Sequence, residues 1–179
     1  MKKYRVIVAD PPWHFKSNSR AKPGRNPMRH YDCMSLVEIA ALDIEQYAAD
    51  ESGLFLWIPG PLLAVGAHID VMHYWGFKPS GIAFVWIKTN KNGSLFTGSG
   101  FTTRKNAEFC LLGKRGRSIR RDNSVHEVII EGRREHSRKP EQFYQRVMQY
   151  AAGPYLELFA RQKRKGWTCV GDQVDKFSS

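Results

Sequence analysis

Cysteine is scarce in this chain. Cys33, Cys110 and Cys169 are odd in number and far apart, which excludes a disulfide framework and a paired-cysteine zinc site. The six histidines show no H-E-x-x-H or comparable ligand spacing, so no metal is expected. No apolar run approaches membrane-spanning length, and Met1-Lys2-Lys3 leads straight into a strand with no signal-peptide pattern. No membrane association is therefore expected, and the expected location is cytoplasmic. Acid is also in short supply: 17 Asp and Glu stand against 28 Lys and Arg, a formal charge of +11. Such an excess favours a polyanionic partner through steering and counterion release. With no internal repeat or low-complexity tract, the 179 residues are expected to form one domain, 1–179. Monomer and homodimer both fit the sequence.

The cations are unevenly placed. Lys16, Arg20, Lys22, Arg25 and Arg29 fall in a Gly, Pro, Asn and Ser-rich stretch at about 14–30 that contains no acid. A second tract runs from Lys88 to Arg121 and includes a long loop at about 90–106 with Arg104 and Lys105. Either tract alone reads as solvated charge. Two in one small domain, with no amphipathic anchor, point to nucleic acid over an anionic membrane.

What is present begins with Y-R-V-I-V-A-D-P-P-W at Tyr4 to Trp13. Its β-favouring residues stop at two prolines that cannot donate to a ladder, which puts Asp10 at the carboxyl end of a buried strand, where open α/β sheets bind ligands. The stiff Pro-Pro unit then fixes one carboxylate (Asp10), one free carbonyl (Pro11) and one exposed indole (Trp13) relative to each other. The exocyclic amine of adenine or cytosine is a poor nucleophile, because its lone pair is delocalised into the ring. Two acceptors on its hydrogens would favour a more pyramidal nitrogen while an aromatic face stacks on the base. The bland alternative is that Asp-Pro-Pro only ends a strand and Trp13 plugs the core.

Further along, Ser35 and Glu38 form a capping box for a helix running towards Asp50. Gly53 to Ile58 reads as a buried strand, Pro61 opens a helix lasting to Gly76, and strands follow at Ile82 to Lys88 and Ala107 to Leu112. A short strand at Val125 to Ile130 precedes a helix between Pro140 and Gly153, then strands at Tyr155 to Ala160 and Trp167 to Gly171. The last two lie too close for a helical crossover, so incomplete winding is expected there. Glu157 shares a strand face with Tyr155 and Phe159, which is costly unless the acid is partnered; near a strand's carboxyl end an acid suits sugar hydroxyls. Gly98 and Gly100 lack the G-K-[ST] of a phosphate loop. The alternation of strands and helices predicts a doubly wound α/β sheet.

Five blocks, D-P-P-W, T-T-R-K-N-A-E-F-C-L-L-G, H-S-R-K-P-E, E-L-F-A-R and G-W-T-C-V-G-D-Q, occur in order from Val6 to Asp175. Together they resemble the N6-adenine methyltransferase family of the eukaryotic mRNA adenosine methyltransferase catalytic subunit, particularly its short prokaryotic and phage DNA-modifying members. The resemblance implies a Rossmann-like fold, S-adenosylmethionine as methyl donor, and a permuted order with the catalytic block before the cofactor motifs. It implies catalysis by Asp10, Pro11, Pro12 and Trp13, and cofactor binding by Asp10, Ser137, Lys139, Glu157, Arg161, Asp172 and Gln173. It also places Tyr31 beside the target base. Two departures stand out: Lys163 and Arg164 replace a His-Asn pair, and Asp172 replaces Asn. The expected activity is N6-adenine methylation, of DNA by resemblance to the short forms. The alternatives are RNA adenosine methylation, cytosine-N4 methylation, or an inactive nucleic-acid-binding partner subunit. The intact D-P-P-W speaks against the last, and Asp10 in place of the more usual Ser against the cytosine enzyme.

Overall fold

A parallel strand covered on both faces reads as an unbroken apolar run. In the computed structural model, which describes residues 1–14, 33–100, 103–135 and 138–177, the run at the N-terminus is β1 (Tyr4–Ala9), and Val6, Ile7, Val8 and Ala9 are all buried. The strand lies between β2 (Ala48–Ile58) and β6 (Tyr155–Leu158), parallel to both. Outside them are β3 (Lys78–Thr89), β4 (Ala107–Arg115), β5 (Val128–Gly132) and β7 (Trp167–Val170), in the order β5-β3-β4-β2-β1-β6-β7. Of these seven described strands only β4 is reversed, running antiparallel to β2 and β3.

The two faces of the sheet bury different cores. One packs Ile7, Leu54, Leu56, Ile58 and Leu111 with Ile39 of α1 (Leu36–Ala40) and with Val71 and Met72 of α3 (Ala67–Tyr74). The other packs Val6, Val8, Phe55, Trp57, Phe84, Trp86, Cys110 and Ile129 beneath Phe143, Tyr144 and Val147 of α4 (Glu141–Tyr150). Phe143 is fully buried and meets Phe55, Trp57 and Phe84 edge-on. Alternation of side chains along each strand is what separates these sets.

Strand ends shift by a few residues from the sequence reading, and two helices differ from it more. The Ser35/Glu38 capping box forms, with both reciprocal bonds present, but α1 stops at Ala40. The chain then makes a short 3-10 turn (Glu45–Tyr47) and joins β2 at Ala48. Pairing of Ala48 with Tyr4, and of Ser52 with Arg115, takes into the sheet residues whose local pattern favours helix. The helix opened by Pro61 is also two, α2 (Gly60–Ala64) and α3, because Gly66 adopts a φ of 73° between them. The expected short link between the last two strands is present: β6 and β7 pair in parallel, joined by residues 159–166 without a helix.

Candidate active site

At one end of the sheet the alternation under α4 changes from apolar to charged. On that face Val8 is followed by Asp10, Trp86 by Lys88 and Ile129 by Glu131, while in the reversed β4 the residue beyond Cys110 towards the same end is Glu108. Lys139, in the turn before α4, inserts among them. Its Nζ lies 2.8 Å from Asp10 Oδ2 and 3.1 Å from Glu108 Oε2, and 5.0 Å from the centre of the Trp57 ring. Lys88 completes the row by pairing with the other oxygen of Glu108. Burial works against the charge of Glu108, but Lys139 and Lys88 prevail and hold its carboxyl at about 2. Burial opposes the Lys139 charge too; Asp10 and Glu108 overcome it and raise the ammonium above the usual lysine range.

A second cluster adjoins the first. The Tyr144 hydroxyl donates to Glu157 Oε1 at 2.7 Å, while Glu157 Oε2 is buried with no hydrogen-bond partner among the described residues. Burial is the main influence on Glu157 and lifts its carboxyl to about 7, against the opposing pull of Tyr144 and Arg164. The Arg164 guanidinium lies 3.5 Å over the Tyr144 ring and pairs with Glu141. Beyond β6, Phe159 takes a φ of 58°, a left-handed conformation unusual for a bulky residue, and so ends the strand's alternation at the wall of the site. Asp10, Lys139, Glu157, Phe159, Arg161 and Phe177 are among the residues lining one cleft of about 440 Å³.

The cleft thus gathers Asp10, Lys139, Glu157 and Arg161 from the expected set. Asp172 and Gln173 are in the turn after β7 and do not line it; Asp172 is exposed, and Gln173 accepts a bond from Lys176 at 3.1 Å. The D-P-P-W turn differs from its sequence reading. The Pro11 carbonyl is not free but accepts the Trp13 N–H at 2.8 Å, and Pro12 accepts the Met34 N–H at 2.8 Å. Trp13 is 4% exposed, and its indole N–H donates to the Trp57 carbonyl at 2.8 Å. An edge used in this way ties the turn to β2. Arg104 and Lys105 are exposed in the β3–β4 connection, away from the cleft lining. Ser137, Tyr31, Lys16, Arg20, Lys22, Arg25 and Arg29 lie outside the described residues.

Sequence reasoning missed Glu108, Lys88 and Tyr144 as site residues, and named Arg164 only as a departure. The first two had a signal, a lone charge two places beyond a buried residue at the same end of each strand.

Among the described residues, no group of three His, Cys, Asp or Glu side chains comes together as a metal site, and no helix is long and apolar enough to cross a membrane. The cleft does suit S-adenosylmethionine. The unsatisfied Glu157 oxygen is an acceptor awaiting a hydroxyl, and the site carries both acid and base for the amino-acid end of a zwitterion. A Rossmann-like α/β sheet with a cleft at its carboxyl edge is the architecture of the S-adenosylmethionine-dependent methyltransferases, and comparison with known proteins places the chain in that class. Within that class the MT-A70 family model matches residues 4–173, and the chain belongs to the MT-A70 family of N6-adenine and adenosine methyltransferases. It is 31% identical to the Type II methyltransferase M.MunI of a Mycoplasma species, over 97% of this chain and 78% of that protein. It is 30% identical to the N(6)-adenosine-methyltransferase MT-A70-like of Arabidopsis thaliana, over 96% of this chain and 24% of that protein. It is 29% identical to the N(6)-adenine-specific methyltransferase METTL4 of Homo sapiens, over 98% of this chain and 38% of that protein. The chain therefore spans most of the bacterial relative and a minor part of the plant and human ones.

Proposed function

We propose that this protein methylates the N6 amine of adenine in DNA, with Asp10 as the group that receives the amine. The observation that carries this reading is the ion pair between the buried Lys139 and the half-buried Asp10 at the end of β1. Lys139 holds the carboxylate in place, so Asp10 can accept one amine hydrogen and raise electron density on a nitrogen that is otherwise conjugated with the ring. The Pro11 carbonyl already accepts the Trp13 N–H, and its second lone pair takes the other hydrogen. S-adenosylmethionine, when bound, supplies a methyl group on a cationic sulfur. Lys139 holds its carboxylate end, Asp10 faces its ammonium, Arg161 lies towards its nucleoside end, and Glu157 accepts a ribose hydroxyl through the oxygen that Tyr144 leaves unoccupied. Trp13 positions this turn by packing and by its bond to Trp57. DNA is proposed over RNA on the likeness to a Type II methyltransferase, 31% identical over 97% of this chain.

The test is mass spectrometry of nucleosides from the DNA and RNA of cells expressing the protein, with Asp10→Ala as control. N6-methyldeoxyadenosine is expected to rise with the wild type alone. A rise confined to RNA would reassign the substrate, and equal rises with the control would remove Asp10 from the mechanism.

A further inference from the structure

The cap residue of α4 is Pro140, whose side chain cannot accept a hydrogen bond. The first-turn N–H groups of Glu141 and Gln142 would be orphans at a half-buried helix end. Both are taken by one side chain from another element: Glu131, near the end of β5, accepts from Glu141 N–H through Oε1 at 2.9 Å and from Gln142 N–H through Oε2 at 3.1 Å. Glu131 is itself fixed, because its backbone carbonyl receives the Trp86 indole N–H at 2.9 Å and its strand pairs with β3. Two residues before the capped turn lies Lys139, 9% exposed, with its ammonium on Asp10.

We infer that Glu131 is a positioning residue for the active site: by capping α4 from the sheet with both carboxylate oxygens, it holds the turn at Lys139 so that the ammonium meets Asp10. Helix caps are ordinarily local, supplied by the residue before the helix. Here the cap comes from β5, separated from β1 by β3, β4 and β2. The anchoring of Lys139 therefore passes through the sheet and does not depend on the turn's own stiffness. The carboxylate also places negative charge at the positive end of the α4 dipole. A residue that does not itself line the cleft would thus set the geometry of the pair that does.

The inference rests on the role given above to Lys139, and two readouts keep them separable. The first needs no cofactor: acylation of surface amines in the isolated protein, read at Lys139 by peptide mass spectrometry, together with amide hydrogen exchange at Glu141 and Gln142. Wild-type Lys139 should label slowly. Glu131→Ala should increase both labelling and exchange, and Glu131→Gln, which keeps one acceptor, should fall between. The second readout is S-adenosylmethionine affinity by calorimetry in a double-mutant cycle. Glu131→Ala should lose at least about tenfold and should add nothing further in a Lys139→Met background. Thermal melts will show whether Glu131→Ala remains folded; if it does not, Glu131→Gln serves for both readouts. Unchanged labelling at Lys139, or losses that multiply in the double mutant, would overturn the positioning role. A Lys139→Met protein that binds cofactor normally would overturn the role of Lys139 in cofactor binding, while the labelling result would still decide the inference.

Discussion

At the scale of single residues, the site depends on which groups burial leaves uncompensated. Lys139 is buried and doubly paired, so its charge is secure; Glu157 is buried with one oxygen unpartnered, so its charge is not. Because the folded-state value of Glu157 lies above its unfolded value of 4.5, at about 7, the fold binds the proton more tightly. Stability attributable to this group is complete below about pH 4.5 and falls as pH rises towards 7, by at most roughly 3 kcal/mol. Glu157→Gln should therefore melt at a temperature nearly constant from pH 5 to pH 8, where the wild type declines. Calorimetry of the wild type should show S-adenosylmethionine binding more tightly as pH rises through 7, a trend the variant should lack. For Trp13 the buried environment changes what substitution removes. Trp13→Ala should cost about 3–5 kcal/mol of stability in denaturant melts, whereas a stacking role would leave the melt unchanged and slow turnover alone. The chemical identity of Asp10, Lys139 and Glu157 was legible in the sequence. The burial of Trp13 was not, because a tryptophan after two prolines reads the same whether its ring faces solvent or the core.

Elements were legible where local and long-range preferences agree. The helix between Pro140 and Gly153 is expected from its apolar face, and α4 is present there at Glu141–Tyr150. Arg121 supports its other end, donating to the carbonyls of Gln149 and Met148. Because Phe143 is the side chain through which this helix grips three rings of the sheet, Phe143→Ala should destabilise by about 3–5 kcal/mol. It should also weaken cofactor binding beyond what the loss of stability explains, since Lys139 travels with the helix; chemical denaturation and calorimetry on the same samples will separate the two. Where preferences conflict, the sequence misleads. The stretch after Ala40 has helical character that carries the expected helix on to Asp50, but hydrogen bonding of Ala48 onward to two neighbouring strands outweighs a propensity worth a few tenths of a kcal/mol per residue. Register and strand order depend on such distant partners, which is why the reversal of β4 had no local signature.

For the whole molecule, the +11 charge is the term that governs encounter with a nucleic acid. Lys16, Arg20, Lys22, Arg25 and Arg29 follow the D-P-P-W turn in sequence, and changing all five to Gln should weaken binding to methylatable and scrambled oligonucleotides alike. It should also flatten the salt dependence by a slope of about 0.9 for each duplex phosphate that is no longer neutralised, while leaving cofactor affinity unchanged. Affinities measured at several salt concentrations will check this. An unaltered slope would move the phosphate-binding surface to the Lys88 to Arg121 tract.

The reversed direction of β4 also bears on where this chain can tolerate a change of length. Because β3 ends and β4 begins at the edge that carries Asp10 and Lys139, the connection between Thr89 and Ala107 leaves and re-enters the sheet at the reacting end. It is held at its base by the pairing of Thr89 with Leu95 and by the Lys88 N–H bond to the Asn106 carbonyl at 2.8 Å. A segment fastened on both sides at its root is a detachable fitting: it can be lengthened, shortened or exchanged without shifting a strand. Insertions or deletions between Leu95 and Asn106 would keep both fastenings, and the strands should stay in register when they are made.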